Sequence, residues 1–333
     1  MKSLFIAMLL FLNMCAQVTL GNIQLNSICS FSIDENIQNL SNTATVVIPH
    51  NYAALQGKDI LEEFNVGDQM TIKAGYDDVL HLEFKGYIKE VAADFPLVIT
   101  CEDESYKLRQ NNLVESYRTT TLNEVLTDIL PDNISFECPN MNLGRFIIDN
   151  ESTYQVLKRI KEDYGLYSRL KDDVLHVNLR DLTPQFEAHS YVLNPAELPN
   201  MVKRNNLKYR RKEDYQLRVK VTSLQTNGKK TTVEVGSKDA DASLMQITYP
   251  GNYSEDELQK YAEGIYNGRC YEGYSGTITG FGLPIVHAGD TLEIADRDKP
   301  EQEPKRYMVE RAVITYNETS GYSRECTLSY KVS

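Results

Sequence analysis

The sequence predicts a mainly β fold with an α+β insert in its middle. Three observations carry this. Apolar and polar residues alternate over many short runs, which is the period of a strand with one buried face. Turn dipeptides separate those runs at the spacing of small barrels. Helix signals concentrate between about residues 121 and 165, with one further helix near residue 254. The composition agrees: 21 Tyr and no Trp, together with many Val, Ile and Thr, favour sheet over helix.

The first β region begins ambiguously. Lys2 and the apolar run at residues 4–12 match a secretory signal, cleaved or lipid-anchored near residues 15–16. Met14-Cys15-Ala16 is a poor export site, however. The competing reading is a strand: Leu12, Met14, Ala16, Val18 and Leu20 alternate with polar neighbours and stop at the turn signal Gly21-Asn22. The apolar run is too short to span a bilayer, so no membrane insertion is expected. Further strands are read at residues 28–33, 43–48 (stopped by Pro49), 69–74, 79–91 and 97–101, with a turn at Asp77-Asp78. Gly67-Asp68 before one strand is echoed by Gly289-Asp290 before another, a hint of two related β-units.

The middle changes character. Thr121-Leu122-Asn123-Glu124 is a capping box, and Leu122, Val125, Leu126 and Ile129 line one helix face before Pro131. A second helix starts near Ser152, carries Val156, Leu157 and Ile160, and ends at Gly165 in a left-handed cap. A hairpin follows at residues 166–170 and 174–179, turning at Lys171-Asp172-Asp173. The organisation is therefore a β region at 1–113, an α/β insert at 114–182, and a second β region at 183–333.

In that second region strands are read at 203–210 and 215–225, then a type I′ turn at Asn227-Gly228 and a return strand at 230–235. One helix starts at Ser254 with a capping box to Glu257. A closing meander occupies 289–294, 307–316 and 321–330. Met308, Ala312 and Ile314 alternate imperfectly there, while Cys326, Leu328 and Tyr330 share one face.

The chemistry searched for is sparse. The 333 residues carry a net charge of −12, which argues against a dedicated DNA-binding surface. The six cysteines are scattered without a CxxC pair, and read as buried free thiols rather than a zinc site or disulfide framework. The histidines, His50, His81, His176, His189 and His287, show no metal spacing. No nucleophile elbow, metalloprotease helix, phosphate loop or dinucleotide fingerprint occurs, and Gly280-Phe281-Gly282 is too short to cradle phosphate. Glu102-Asp103-Glu104 reads as the acidic start of a short helix at 105–110 rather than a glycosidase pair. The one basic stretch holds Lys203-Arg204, Lys208, Arg210-Arg211-Lys212, Arg218 and Lys220. It reads as a solvated sheet face, or as a surface for a charged partner such as nucleic acid or an acidic subunit. The sequons at Asn39, Asn133, Asn150, Asn252 and Asn317 carry no weight. No catalytic, cofactor-binding or metal residue is therefore named, and no enzyme activity is expected.

The pattern resembles a known family. Residues 15–21, Ser32-Ile33-Asp34 and the run 40–49 look like the first barrel of phage baseplate hub proteins, the late control protein D group, related to the upper part of type VI secretion spikes. Phe84-Lys85-Gly86-Tyr87-Ile88, Cys101-Glu102-Asp103, Tyr164-Gly165-Leu166 and Gly321-Tyr322-Ser323-Arg324 match the same pattern. The resemblance implies two tube-like β-barrel domains with the helix–hairpin insert between them. It also implies a homotrimer that joins the tail tube to the central spike, with the tape-measure protein as a further possible neighbour. DNA would pass through the lumen unbound, and the location would be the virion tail, assembled in the bacterial cytoplasm. The alternative reading is a secreted or lipid-anchored β-rich binding protein of a bacterial envelope. A tail-associated lysin would need a hydrolase domain for which no stretch is left.

Overall fold

The computed structural model describes residues 13–26, 28–49, 63–92, 96–179, 186–193, 202–211, 216–224, 229–251, 253–298 and 303–332. The apolar run at residues 4–12, His50 and the Asn227-Gly228 turn lie outside the described residues.

The first region contains β1 (Met14–Leu20), β2 (Ile23–Leu25), β3 (Ser30–Asn36), β4 (Thr43–Ile48), β5 (Gln69–Tyr76), β6 (Val79–Ala92) and β7 (Leu97–Asp103). Alternation does its work here: Ala16, Val18 and Leu20 of β1 are buried while their neighbours are half-exposed. The turn between β5 and β6 places Asp77 and Asp78 at φ of 51° and 64°, left-handed values that Asp tolerates better than bulky residues. Neighbouring strands run in the order β3-β4-β7-β6-β5-β1-β2.

The insert holds β8 (Leu113–Thr121), α1 (Leu122–Ile129), β9 (Ser135–Glu137), β10 (Asn142–Glu151), α2 (Thr153–Tyr164), β11 (Leu166–Lys171) and β12 (Val174–Leu179). Both capping boxes are complete, from Thr121 with Glu124 and from Ser152 with Gln155. Gly165 ends α2 at φ 67°.

The last region contains β13 (Ala188–Leu193), β14 (Val202–Asn205), β15 (Lys208–Arg210), β16 (Leu217–Leu224), β17 (Lys230–Gly236), β18 (Ser243–Pro250), α3 (Glu255–Arg269), β19 (Gly273–Phe281), β20 (Thr291–Asp296), β21 (Lys305–Asn317) and β22 (Gly321–Lys331). The strand expected at 203–210 is divided into β14 and β15, both paired with β19. β16, β17 and β18 form a separate sheet. The apolar face of α3, with Leu258, Ala262 and Ile265, joins the core of the insert rather than that of the closing meander.

The two β regions repeat each other. In the second, the order is β14-β19-β22-β21-β20-β13. Taken in chain order, β1, β3, β4, β5, β6 and β7 correspond to β13, β14, β19, β20, β21 and β22. One pairing departs: β1 is antiparallel to β5, whereas β13 is parallel to β20. The units are joined by β21, whose C-terminal half pairs with β3 from Arg311↔Asn36 to Asn317↔Ser30. One apolar core, including Ile33, Ile72, Ile278 and Ile314, runs through both. The sheet is thus continuous and open among the described residues. Among the described residues no set of strands closes into a cylinder, because the end strands of each unit, β1 and β3 in the first and β13 and β14 in the second, do not pair with each other.

Candidate functional site

The repeat is sharpest at two turns, Asn65–Asp68 and His287–Asp290. In the first, Asn65 N–H donates to Asp68 Oδ2 at 2.9 Å and Asp68 N–H to Asn65 O at 3.1 Å. In the second, His287 N–H donates to Asp290 Oδ2 at 2.7 Å and Asp290 N–H to His287 O at 3.1 Å. Gly67 N–H then donates to Ile88 O, and Gly289 N–H to Val309 O, each at 2.8 Å. Ile88 and Val309 return bonds to Asp68 O and Asp290 O, each at 2.9 Å. Both glycines sit at positive φ, 96° and 89°, where a side chain is strained. The register continues alike: Gln69 faces Tyr87, and Thr291 faces Met308. A bulge follows in each long strand, between Ile88 and Glu90 and between Val309 and Arg311. That bulge breaks the alternation around Met308.

Only the second turn is wired into a charge cluster. Asp290, buried, also accepts from Glu187 N–H at 3.1 Å and lies 3.3 Å from His189 Nε2. His287 Nδ1 lies 3.0 Å from Glu35 of β3, whose other oxygen accepts from Ala288 N–H at 3.0 Å. Burial works against the Glu35 charge, but His287, Arg169 and the Ala288 N–H outweigh it and hold the carboxyl at about 2. Burial likewise opposes protonation of His287, and Glu35 overrides it, raising the imidazole above its ordinary value. Arg169 of β11 lies over the Phe186 ring at 4.7 Å.

A second bridge crosses between the units. Arg324 of β22 and Glu83 of β6 have side chains that are 0% exposed. Arg324 Nη2 donates to both Glu83 oxygens at 2.8 and 2.7 Å, and Nη1 donates to Val286 O at 2.8 Å. The Tyr322 hydroxyl also donates to Glu83, and burial together with that carboxylate raises it. Tyr76 of β5 donates to Tyr322 O and accepts from Gly282 N–H, both at 3.2 Å.

Between these bridges and the insert hairpin opens a cavity of about 360 Å³, lined by Glu35, Glu83, Lys85, Asp103, Arg169 and His287 among others. Burial pushes Asp103 up to about 6, against its bonds from Ser105 and Asn42. The polar groups at the joint are largely committed to one another. What the arrangement does is fix three segments in mutual orientation: the first β-unit, the second, and the insert hairpin.

The residues singled out in sequence go separate ways. Glu102 is paired with Arg109 at 2.6 Å, Asp103 caps a short 3-10 helix (Glu104–Arg109), and Glu104 pairs with Lys85 at 2.6 Å. The basic stretch is spread over β14, β15 and β16, hence over two sheets, and Lys220 pairs across strands with Glu234 at 3.0 Å. His176 meets Glu137 at 3.0 Å, so His176, His189 and His287 each face a carboxylate. All six cysteines are free thiols, with Cys101, Cys270 and Cys326 buried and the others half-buried. Among the described residues no group of three or more His, Cys, Asp or Glu is placed to hold a metal ion. Sequence reasoning missed Arg324, although it shares the buried parity of Cys326, Leu328 and Tyr330. A charge on that parity was the available signal.

No family model matches the sequence, and no curated protein does. Solved structures do match. A tail protein from Neisseria meningitidis superposes with a TM-score of 0.62 at 15% identity, covering 96% of each chain. The fold is that of phage tail proteins. The 43 kDa tail protein of prophage MuSo2 from Shewanella oneidensis gives 0.62 at 12% identity, covering 96% of this chain and 98% of that one. An Escherichia coli component of the type VI secretion system gives 0.55 at 10% identity over 95% of this chain and 79% of its own, and is itself structurally similar to the T4 tail proteins gp27 and gp5.

Proposed function

We propose that this chain is an architectural ring subunit of a phage tail baseplate or a related contractile injection machine, joining the tail tube to the central spike. The observation that carries the reading is the duplicated six-stranded unit with its duplicated Gly-Asp turn. Two like units per chain let three copies present six similar segments to a sixfold tube and a threefold tip to a spike. The two curved units then act as segments of tube-like barrels that neighbouring copies complete, which also covers strand edges. The end-to-end match to tail proteins supports the same role. In this reading the buried charges hold shape rather than perform catalysis, and the net charge of −12 suits a lumen that DNA traverses without sticking. The location is the virion tail, with spike, tube and tape-measure proteins as neighbours.

The test is electron microscopy of particles assembled with a tagged copy of this chain. The expected result is a ring of three copies at the junction of tube and spike. Assembled tails without the tag, or with it elsewhere, overturn the reading.

A further inference from the structure

A second cavity, of about 290 Å³, lies where the insert meets the first β-unit. Among the described residues that line it, Lys89, Arg109, Lys158 and Lys161 are cationic and Glu102 is the one carboxylate. That excess of positive charge runs against a chain whose net charge is −12. Lys158 and Lys161 lie three positions apart on α2 and so share a stripe of that helix. The turn after β3 is tied to the same stripe, because Lys161 Nζ donates to Gln38 O at 2.6 Å. Lys89 comes from β6 and Ser168 from β11.

The one carboxylate is already engaged. Glu102, buried, accepts from Arg109 Nε at 3.0 Å and from its Nη2 at 2.6 Å, and Arg109 also stacks on the Tyr154 ring at 3.3 Å. Lys89 lies 3.6 Å from the same carboxylate. Lys158 meets Glu162 at 3.8 Å, with both side chains well exposed. Lys161 is held by a neutral carbonyl, and burial lowers it below its ordinary value, with Lys158 adding to the effect and Glu162 opposing it. Ser168 is 5% exposed, and its buried hydroxyl has no hydrogen-bond partner among the described residues. It follows Leu166 on the buried parity of β11, where alternation calls for an apolar side chain. An unpaired buried hydroxyl is unfavourable, and this residue stands on the wall of a cationic cavity.

We infer that this cavity binds a small oxyanion of the phosphate class, held by the ammonium groups of Lys89, Lys158 and Lys161 with the Ser168 hydroxyl as a neutral donor. The planar fork of Arg109 is spent on Glu102, so the charges left to the ligand are compact ammonium groups. Those suit an oxyanion that offers acceptors in several directions. Once bound, the anion would link the first β-unit to α2 and β11 of the insert, at a place separate from the buried charges that join the two units.

The experiment is equilibrium dialysis of the full-length chain against labelled inorganic phosphate, in chloride buffer of fixed ionic strength. The expected result is saturable binding at one site per chain. Lys158→Gln and Lys161→Gln are each expected to weaken it by on the order of tenfold, and Ser168→Ala by roughly threefold. Lys220→Gln, which alters a lysine paired with Glu234 on another sheet, is expected to leave it unchanged. Circular dichroism verifies folding, and the well-exposed Lys158 carries the test if Lys161→Gln does not fold. Absence of saturable phosphate binding overturns the inference. So does an affinity that survives Lys158→Gln, or one that falls equally in Lys220→Gln. None of these outcomes bears on the ring at the tube–spike junction.

Discussion

The turns at Asn65–Asp68 and His287–Asp290 have the same backbone and different surroundings. Asp68 is half-buried and ties its own turn together, while Asp290 is buried and also gathers Glu187 and His189. A Cβ on Gly67 would meet the Tyr106 hydroxyl at 3.6 Å, an ordinary contact, but a Cβ on Gly289 would lie 1.7 Å from Arg169 Nη1. The difference shows how a repeat diversifies. Backbone hydrogen bonds that define the turn are retained in both units, and the side chains around one of them have become a joint to the insert and to the other unit.

The largest test breaks the clasp between the units. Arg324→Met leaves the buried Glu83 without its partner, and the expected loss is about 3–5 kcal/mol by chemical denaturation. Arg324→Met with Glu83→Leu is expected to recover much of it, because the isolated charge is what costs. Equal stability of single and double variants would refute that account. Next, Gly289→Ala and Gly67→Ala compare the turns directly. Both pay left-handed strain of about 1–2 kcal/mol. Gly289→Ala is expected to lose about 2–3 kcal/mol in all, since Arg169 must also move. Equal losses would mean that the joint yields freely.

The smallest effect is in pH. Glu35, held at about 2 against an ordinary 4.5, contributes stability that is present above pH 4.5 and lost as pH falls toward 2. His287, raised above 6.5, contributes stability that is full below pH 6.5 and lost as pH rises through its folded value. Melting temperatures against pH are expected to fall on both flanks for the wild type. His287→Gln is expected to flatten the alkaline flank, and an unchanged alkaline slope would remove His287 from the joint.

Local signals were legible. The capping boxes read at Thr121 and Ser254 both form, because each needs only residues three apart, and the helix read to start near Ser152 carries one as well. Most strands with clean alternation lie where read. β10 was missed because irregular register around Gly144 scrambles its pattern, and β19 because its glycines dilute the alternation. Hairpin pairing was legible, as in β11 with β12 and β21 with β22, but long-range pairing was not: β3 meets β21 across more than 270 positions, and nothing local encodes that choice. The joint residues suffered the same fate. Glu35, His287 and Asp290 are ordinary side chains until the fold assembles them, although the echo of Gly67-Asp68 in Gly289-Asp290 marked where to look.

β21 is bonded along both flanks, to β22 over its length and to β20 and then β3 on the other side. Axial tension applied to either unit therefore loads these ladders in shear, where many bonds must yield together instead of unzipping singly. A pull along the strands would therefore meet the two units as one stiff body.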